Sequence, residues 1–298
     1  QLQADPVDET DPRERAESTT LTKAERRALD RRIAERIIAV SEKAGTPGLR
    51  ADTEALRTFV NAPQDGYRVS PPSRWIFASS GARRGTEQAK RLEKVAQGHD
   101  TSALRLVTLR FGERKPSAVE LESHLQAMSE QIRSCCDYLV GEGIAQPILS
   151  ALHIRRAADD EAASFDPHLH GIWRIAESDI DRVRSYLSER FASVWIDERP
   201  VQKLKGAAFY VCSGMLDYRD VPSWPDDAIE ALWTLPRVRM IRPAGWFAGT
   251  AKTKLVRAPS LDDRPTIPQE PPLRGLTQLS RTKSRRPTKA VQKASVPT

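Results

Sequence analysis

The chain has 298 residues, of which 39% are hydrophobic and 29% charged, and its formal net charge at pH 7 is +7. This length and composition favour a folded centre with its own core over a fully disordered chain. No apolar run approaches the roughly 20 residues of a membrane-spanning helix, and the acidic, polar start is unlike a secretory signal. We therefore predict no membrane segment. The three cysteines, Cys135, Cys136 and Cys212, include no CxxC pair and indicate no disulfide framework, so we predict a cytoplasmic protein.

The two ends of the chain carry opposite charge. The first 19 residues contain six acidic and two basic residues, whereas the segment from Arg274 onward contains seven basic residues and no acidic one. Few large apolar residues follow Pro259, and such segments do not bury enough surface to fold. We predict a disordered acidic tail over 1–20 and a disordered basic tail over 257–298.

Helical patterns dominate the region 21–100. Thr22 and Glu25 match a capping box at the start of an amphipathic helix over 22–43. A shorter helix is predicted over 52–60. A basic helix follows, with five Arg or Lys and two Glu between Arg83 and Lys94. Together with the basic tail, this helix would neutralise DNA phosphates in a salt-sensitive way.

The region 101–256 has the pattern of an α+β domain. Helical and strand periodicities predict strands over 104–111, 147–155, 168–175 and 193–196, and helices over 117–140, 178–192 and 203–216. The order β-α-β-β-α-β-α indicates an antiparallel central sheet with flanking helices. The predicted fold class is therefore α+β, with a helical N-terminal extension.

The string Asp166-Pro-His-Leu-His-Gly171 carries the clearest chemical signal. Side chains alternate across a strand, so His168 and His170 point to the same face, where two imidazoles can chelate one divalent ion. Two histidines on a strand are also often merely solvated. The chain has only five histidines, however, and His153 falls on a second strand that could be a neighbour. We therefore predict a metal site.

The same string resembles the His-hydrophobic-His motif of rolling-circle replication initiators of plasmid or filamentous-phage type, which belong to the HUH endonuclease superfamily. The segment Leu106-Val-Thr-Leu-Arg-Phe111 is similar to the first motif of that family, and Tyr210 stands where its third motif has a tyrosine. The tyrosine follows the histidines, as in initiators and unlike the usual order in relaxases. These motifs span about half of the chain.

The resemblance implies an α+β HUH nuclease domain over 101–256 that nicks single-stranded DNA at a replication origin. Tyr210 would attack the scissile phosphate, leaving a 5′-phosphotyrosine and a free 3′-hydroxyl, while His168 and His170 would hold Mn or Mg. A host helicase is implied as a partner. The third ligand of the family is commonly Glu, so His153 at that place predicts a three-histidine site, which suits manganese better than magnesium.

Four basic residues are candidates for contacts with DNA phosphate, although each is also typical of a solvated surface: Lys203, Lys205, Arg110 and Arg174. Tyr218, about two helical turns beyond Tyr210, is the second choice of nucleophile.

Two other classes of function stay open. Many relatives carry a lysine three residues after the nucleophile, where this chain has Ser213, and this favours a DNA-binding protein on the same fold that no longer cuts. An unrelated hydrolase could use the histidines, a metal and a water nucleophile. Tyr210 itself also fits a core aromatic, because Val211 and Met215 lie on roughly the same side of the predicted helix.

Overall fold

A computed structural model describes residues 21–44, 47–62, 71, 74–112, 114–157, 164–235 and 239–248. The predicted tails over 1–20 and 257–298 lie outside these ranges. Within the described ranges, every helix is too short or too polar to cross a membrane.

The helices and strands of the described ranges follow the predicted order through the fourth strand and the helix after it. They are α1 (Lys23–Ala44), α2 (Pro47–Asn61), α3 (Ala78–Ala96), β1 (Leu104–Arg110), α4 (Leu121–Gly141), β2 (Ala145–Arg156), β3 (Phe165–Ile175), α5 (Ile180–Ser188), β4 (Ser193–Ile196), α6 (Leu204–Ser213), α7 (Asp226–Thr234), β5 (Ile241–Pro243) and α8 (Gly245–Ala248). The last three of these were not predicted. Single 3-10 turns at Glu177–Asp179 and Val221–Ser223 precede α5 and α7.

The five strands form one sheet in the order β4-β1-β3-β2-β5, in which all neighbours are antiparallel. The central strand β3 pairs along nearly all its length with β1 on one side and β2 on the other. The prediction of an α+β protein with an antiparallel sheet and flanking helices is confirmed.

Helices cover both faces of the sheet, and the alternation along β1 divides its residues between them. Val107 and Leu109 belong to the larger core, which includes residues of α4 and α5 and of the N-terminal helices. Leu106 faces the other way and packs with residues of α3 and α6, such as Leu92 and Val211. Side chains of β1 thus alternate between two faces of the sheet, and both faces are buried under helices.

The N-terminal helix α1 begins at the predicted capping box and belongs to the larger core. The Glu25 amide donates to Thr22 Oγ1 at 3.2 Å, and the Thr22 amide donates to Glu25 Oε2 at 2.6 Å. Ile33 and Ile37 of α1 are fully buried in the same hydrophobic cluster as the sheet residue Leu169. The helical extension therefore shares a core with the sheet.

Tyr218 is a core residue, so its ranking as a second nucleophile is wrong. Helix α6 ends at Ser213, three residues before its predicted end, and Tyr218 lies beyond it. Its side chain is 8% exposed, and its hydroxyl donates to the Trp75 carbonyl at 3.1 Å. Burial raises the pKa of Tyr218, which further disfavours the phenolate.

Asp30 of α1 is a fully buried carboxylate at the first turn of α3. It accepts a hydrogen bond from the Ser79 amide, 3.3 Å from each carboxylate oxygen. Burial raises its pKa to about 6, and the hydrogen bonds from Ser79 offset only part of this rise. The charged form is thus less stable in the folded protein than in the unfolded chain.

We predict that Asp30→Asn removes a pH dependence of folding stability. The Asp30 pKa is about 6 in the folded protein against a reference of 3.8, so its stabilising protonation is complete below about pH 4 and lost as the pH rises through about 6. The effect amounts to roughly 3 kcal/mol at most. Urea unfolding between about pH 4 and pH 7 should show the wild type losing stability relative to the variant.

The matched control is Asp181→Asn, because the side chain of Asp181 is 92% exposed. A difference between wild type and Asp30→Asn that stays constant over this pH range would contradict the prediction.

Candidate active site

Three histidines form a compact buried cluster on the sheet face that α6 crosses. His153 on β2 pairs in register with His168 on β3, and His170 lies two residues further along β3 on the same face. The ring centroids lie 4.4 Å (His153 to His170), 4.9 Å (His168 to His170) and 5.6 Å (His153 to His168) apart. One nitrogen from each ring lies within 4.8 Å of the others, so modest ring shifts would let all three bind one ion.

Burial keeps these rings in the form that binds metals. The three residues are 2%, 3% and 9% exposed, in chain order. Burial lowers the pKa of His153 to about 3 and that of His168 to about 4, and it lowers the pKa of His170 well below its usual range. All three rings are therefore neutral at pH 7, with a lone pair on one nitrogen each.

Backbone carbonyls fix which nitrogen carries the lone pair in two of the rings. His168 Nδ1 lies 3.0 Å from the Asp166 carbonyl, and His153 Nε2 lies 2.8 Å from the Val211 carbonyl. A carbonyl only accepts, so these nitrogens donate, and the lone pair of each neutral ring is on Nε2 of His168 and Nδ1 of His153. Such a bond to the second ring nitrogen is the arrangement that orients metal-binding histidines.

Thr108 holds the third ring and was not predicted as a site residue. It is paired in register with His170, and its Oγ1 lies 2.9 Å from His170 Nδ1. The alternation along β1 placed Thr108 on a face with Arg110, but only the register between β1 and β3 shows that this is the histidine face. The three rings thus each have a hydrogen-bond partner, and the cluster fits a divalent transition ion.

The structure places Tyr210 beside the histidines. Val211 and Ala208 of α6 are fully buried against the sheet, whereas Tyr210 is half-buried, with its ring centroid 5.2 Å from that of His170 and 6.5 Å from that of His153. A Cβ on Gly214 would lie 3.2 Å from His153 Cε1. The absence of that atom lets the end of α6 lie close against the cluster.

Two arginines lie at the end of the strands next to the cluster. Arg110 is paired in register with His168, and its Nη2 lies 3.5 Å from Asp166 Oδ2. Arg155, which was not predicted, is paired in register with Asp166 and lowers the pKa of all three histidines through its charge. Counting every second residue from His153 would have placed Arg155 on this face.

The other predicted phosphate contacts lie away from the histidines. Arg174 is at the opposite end of β3, four residues and roughly 13 Å beyond His170. Lys203 and Lys205 lie at the start of α6, and Lys205 Nζ forms an ion pair with Glu93 Oε2 at 3.1 Å. Of the four basic residues predicted, Arg110 is thus the one that the structure brings to the histidine cluster.

No protein-family model matches the chain, and no curated protein or solved structure matches it.

We predict that the purified chain binds Mn²⁺ and that Thr108→Val weakens binding about 10- to 100-fold. Valine keeps the shape of threonine but cannot hydrogen bond to His170 Nδ1, so the ring loses its orienting partner. Isothermal titration with Mn²⁺ measures the change. Thr86→Val on α3 is the control, because the exposed Thr86 hydroxyl donates to the Ala82 carbonyl of its own helix.

Equal affinity in wild type and Thr108→Val would contradict the assigned role of Thr108. Mn²⁺ binding that survives the double substitution His168→Ala and His170→Ala would exclude the cluster as the metal site.

Proposed function

We propose that this protein is an HUH-type endonuclease that nicks single-stranded DNA through Tyr210, in the manner of rolling-circle replication initiators. The observation that carries the proposal is the contact of the Tyr210 ring with the buried cluster of His153, His168 and His170. The order of these residues in the chain, histidines before tyrosine, agrees with it. As an initiator, the protein would act at an origin and pass the opened strand to a host helicase.

The histidines supply a site for Mn²⁺ or Mg²⁺, and the bound ion would act as a Lewis acid toward the scissile phosphate. Because His153, His168 and His170 are neutral, they leave the charge of the ion undiminished. Burial under α6 limits the water around these groups, which strengthens electrostatic interactions with the phosphate.

Tyr210 supplies the nucleophile in this mechanism. Its phenolic oxygen loses its proton and forms a bond to phosphorus, while the bond from phosphorus to the 3′ oxygen breaks and that oxygen takes up a proton. The products are a 5′-phosphotyrosine and a free 3′-hydroxyl, which can prime synthesis. No water enters the reaction, so the energy of the phosphodiester stays in the linkage to Tyr210 and the strand can later be rejoined.

Arg110 and Arg155 supply cations for the phosphates that flank the scissile one. Asp166 lies between them, close enough to Arg110 to orient its guanidinium. A guanidinium presents several N–H donors in a fixed plane, which suits phosphate oxygens. These two residues would take the part that a lysine after the tyrosine has in many relatives.

We predict that labelled single-stranded DNA incubated with the protein and Mn²⁺ gives a covalent adduct on a denaturing gel, and that Tyr210→Phe abolishes it. The double substitution His168→Ala and His170→Ala should abolish it as well, because the phosphate loses its metal. Tyr218→Phe is the matched control and should keep the adduct, since the Tyr218 hydroxyl is bonded in the core.

An adduct that persists in Tyr210→Phe would disprove the proposed nucleophile. Cleavage without an adduct that survives Tyr210→Phe would indicate attack by water. DNA binding without cleavage, over a broad set of oligonucleotides, would indicate a protein that binds DNA and does not cut it.

We also predict that Arg110→Ala slows single-turnover nicking by about 10-fold or more, whereas Arg174→Ala changes it less than about 2-fold. Both arginines project from the histidine-bearing face of adjacent strands, but Arg174 is at the far end of β3. The rate is measured with protein in excess over labelled DNA. Equal slowing by the two substitutions would show that general surface charge, and not position beside the cluster, determines the effect.

A further inference from the structure

A cavity lies between α3, the end of α7, β5 and residues 74–76. The three histidines of the cluster do not line it. Its volume is about 490 Å³, which is within the range of roughly 300 to 1,000 Å³ for small-molecule sites. Ile241 on its floor is paired in register with Ala151, which is paired with His170. Ile241 is therefore two strand spacings, roughly 10 Å, from His170 across the sheet, and one strand from β2, which carries His153.

The lining of this cavity favours an anion. Arg74, Arg84 and Arg239 contribute to it, and its described lining contains no acidic residue. Arg74 Nη1 donates to the Trp233 carbonyl at 3.1 Å, and Arg239 Nε donates to the Ile241 carbonyl at 3.2 Å. These bonds hold two of the guanidinium groups in place, and a guanidinium carries five N–H donors in a fixed plane.

The positive charge continues along β5 beyond the cavity. Arg242 is partly buried, which lowers its pKa, and the charges of Arg133 and Arg239 lower it further. Arg242 is thus repelled by the charge of each of these two arginines. An anion bound beside Arg239 would offset part of this repulsion.

The rest of the lining consists mainly of aromatic and aliphatic side chains, and it includes one hydrogen-bond acceptor, Gln88. Trp75 and Trp233 form part of the wall, and the guanidinium of Arg74 stacks 4.0 Å above the Trp233 ring. Gln88 Oε1 is buried and has no hydrogen-bond partner in the described part of the chain. An unpaired buried carbonyl costs stability, and the exocyclic amino group of a nucleobase would satisfy it.

We propose that this cavity binds a nucleoside phosphate. The phosphate lies against Arg84 and Arg239, the base lies against the apolar part of the lining, and Gln88 accepts a hydrogen bond from the amino group of the base. The nucleotide is either free or a unit of a DNA strand, and the chemistry of recognition is the same for both. The site is independent of nicking by Tyr210.

The test is equilibrium binding of four ligands to the full chain, measured by tryptophan fluorescence and by calorimetry. The ligands are dAMP, dTMP, inorganic phosphate and a short deoxyadenylate oligonucleotide. We expect saturable 1:1 binding of dAMP that is tighter than that of dTMP, since thymine has no exocyclic amino group. Arg84→Ala and Arg239→Glu should each weaken it about 10-fold or more. Arg239 is exposed, so its substitution leaves folding intact.

The matched control is Arg83→Ala, which removes an exposed arginine of the same helix that does not line the cavity. Gln88→Leu should reduce the preference for dAMP over dTMP, an effect that a purely structural role would not produce. If only the oligonucleotide binds, with the same pattern across the variants, the proposal holds and the nucleotide is part of a strand.

Three results would overturn the proposal: no binding of either nucleotide form, binding that Arg84→Ala and Arg239→Glu do not change, or equal binding of inorganic phosphate and dAMP. His168→Ala with His170→Ala should keep dAMP binding. A failure of the nicking mechanism is thereby distinguished from a failure of this site.

Discussion

The register between β2 and β3 is the constraint on which the rest of the site depends. It sets His153 opposite His168 on a buried face, and a slip of one residue would turn the histidines of one strand to the other face. Buried imidazoles are costly unless their N–H groups are bonded. The bonds come from Val211 on α6, from Asp166 on β3 and from Thr108 on β1. These hydrogen bonds therefore fix β1, β3 and α6, as well as β2, around one cluster of rings.

The N-terminal helices are part of this scaffold, because α3 packs directly against the helix that carries Tyr210. A Cβ on Gly85 would lie 3.0 Å from Ser213 Cβ, so the Ser213 side chain faces α3. A lysine at 213 would be directed into that contact and away from the histidines. The basic groups beside the cluster are Arg110 and Arg155 on the strands.

The sequence predicted the parts of the fold that have a long, regular period. Helix α1 and the four main strands were recognised by apolar spacing, and the shared face of His168 and His170 follows from alternation alone. Features that depend on register or on short elements were missed. Strand β5 has three residues, too few to show alternation, and Arg155 is recognisable only once β2 is aligned with β3. The wrong ranking of Tyr218 came from extending α6 past Gly214, a residue that commonly ends helices.

The charges around the site determine how the proposed DNA substrate would reach it. The histidine cluster is neutral, so without an ion the phosphate would be attracted by the two arginines at the strand ends. Arg110 is partly offset by Asp166, 3.5 Å away. A divalent ion held by three neutral rings would add two positive charges in a place of low dielectric, where each counts for more than a surface charge. Binding of the metal and binding of the scissile phosphate would then be coupled: each should strengthen the other, as linkage between two sites in contact requires.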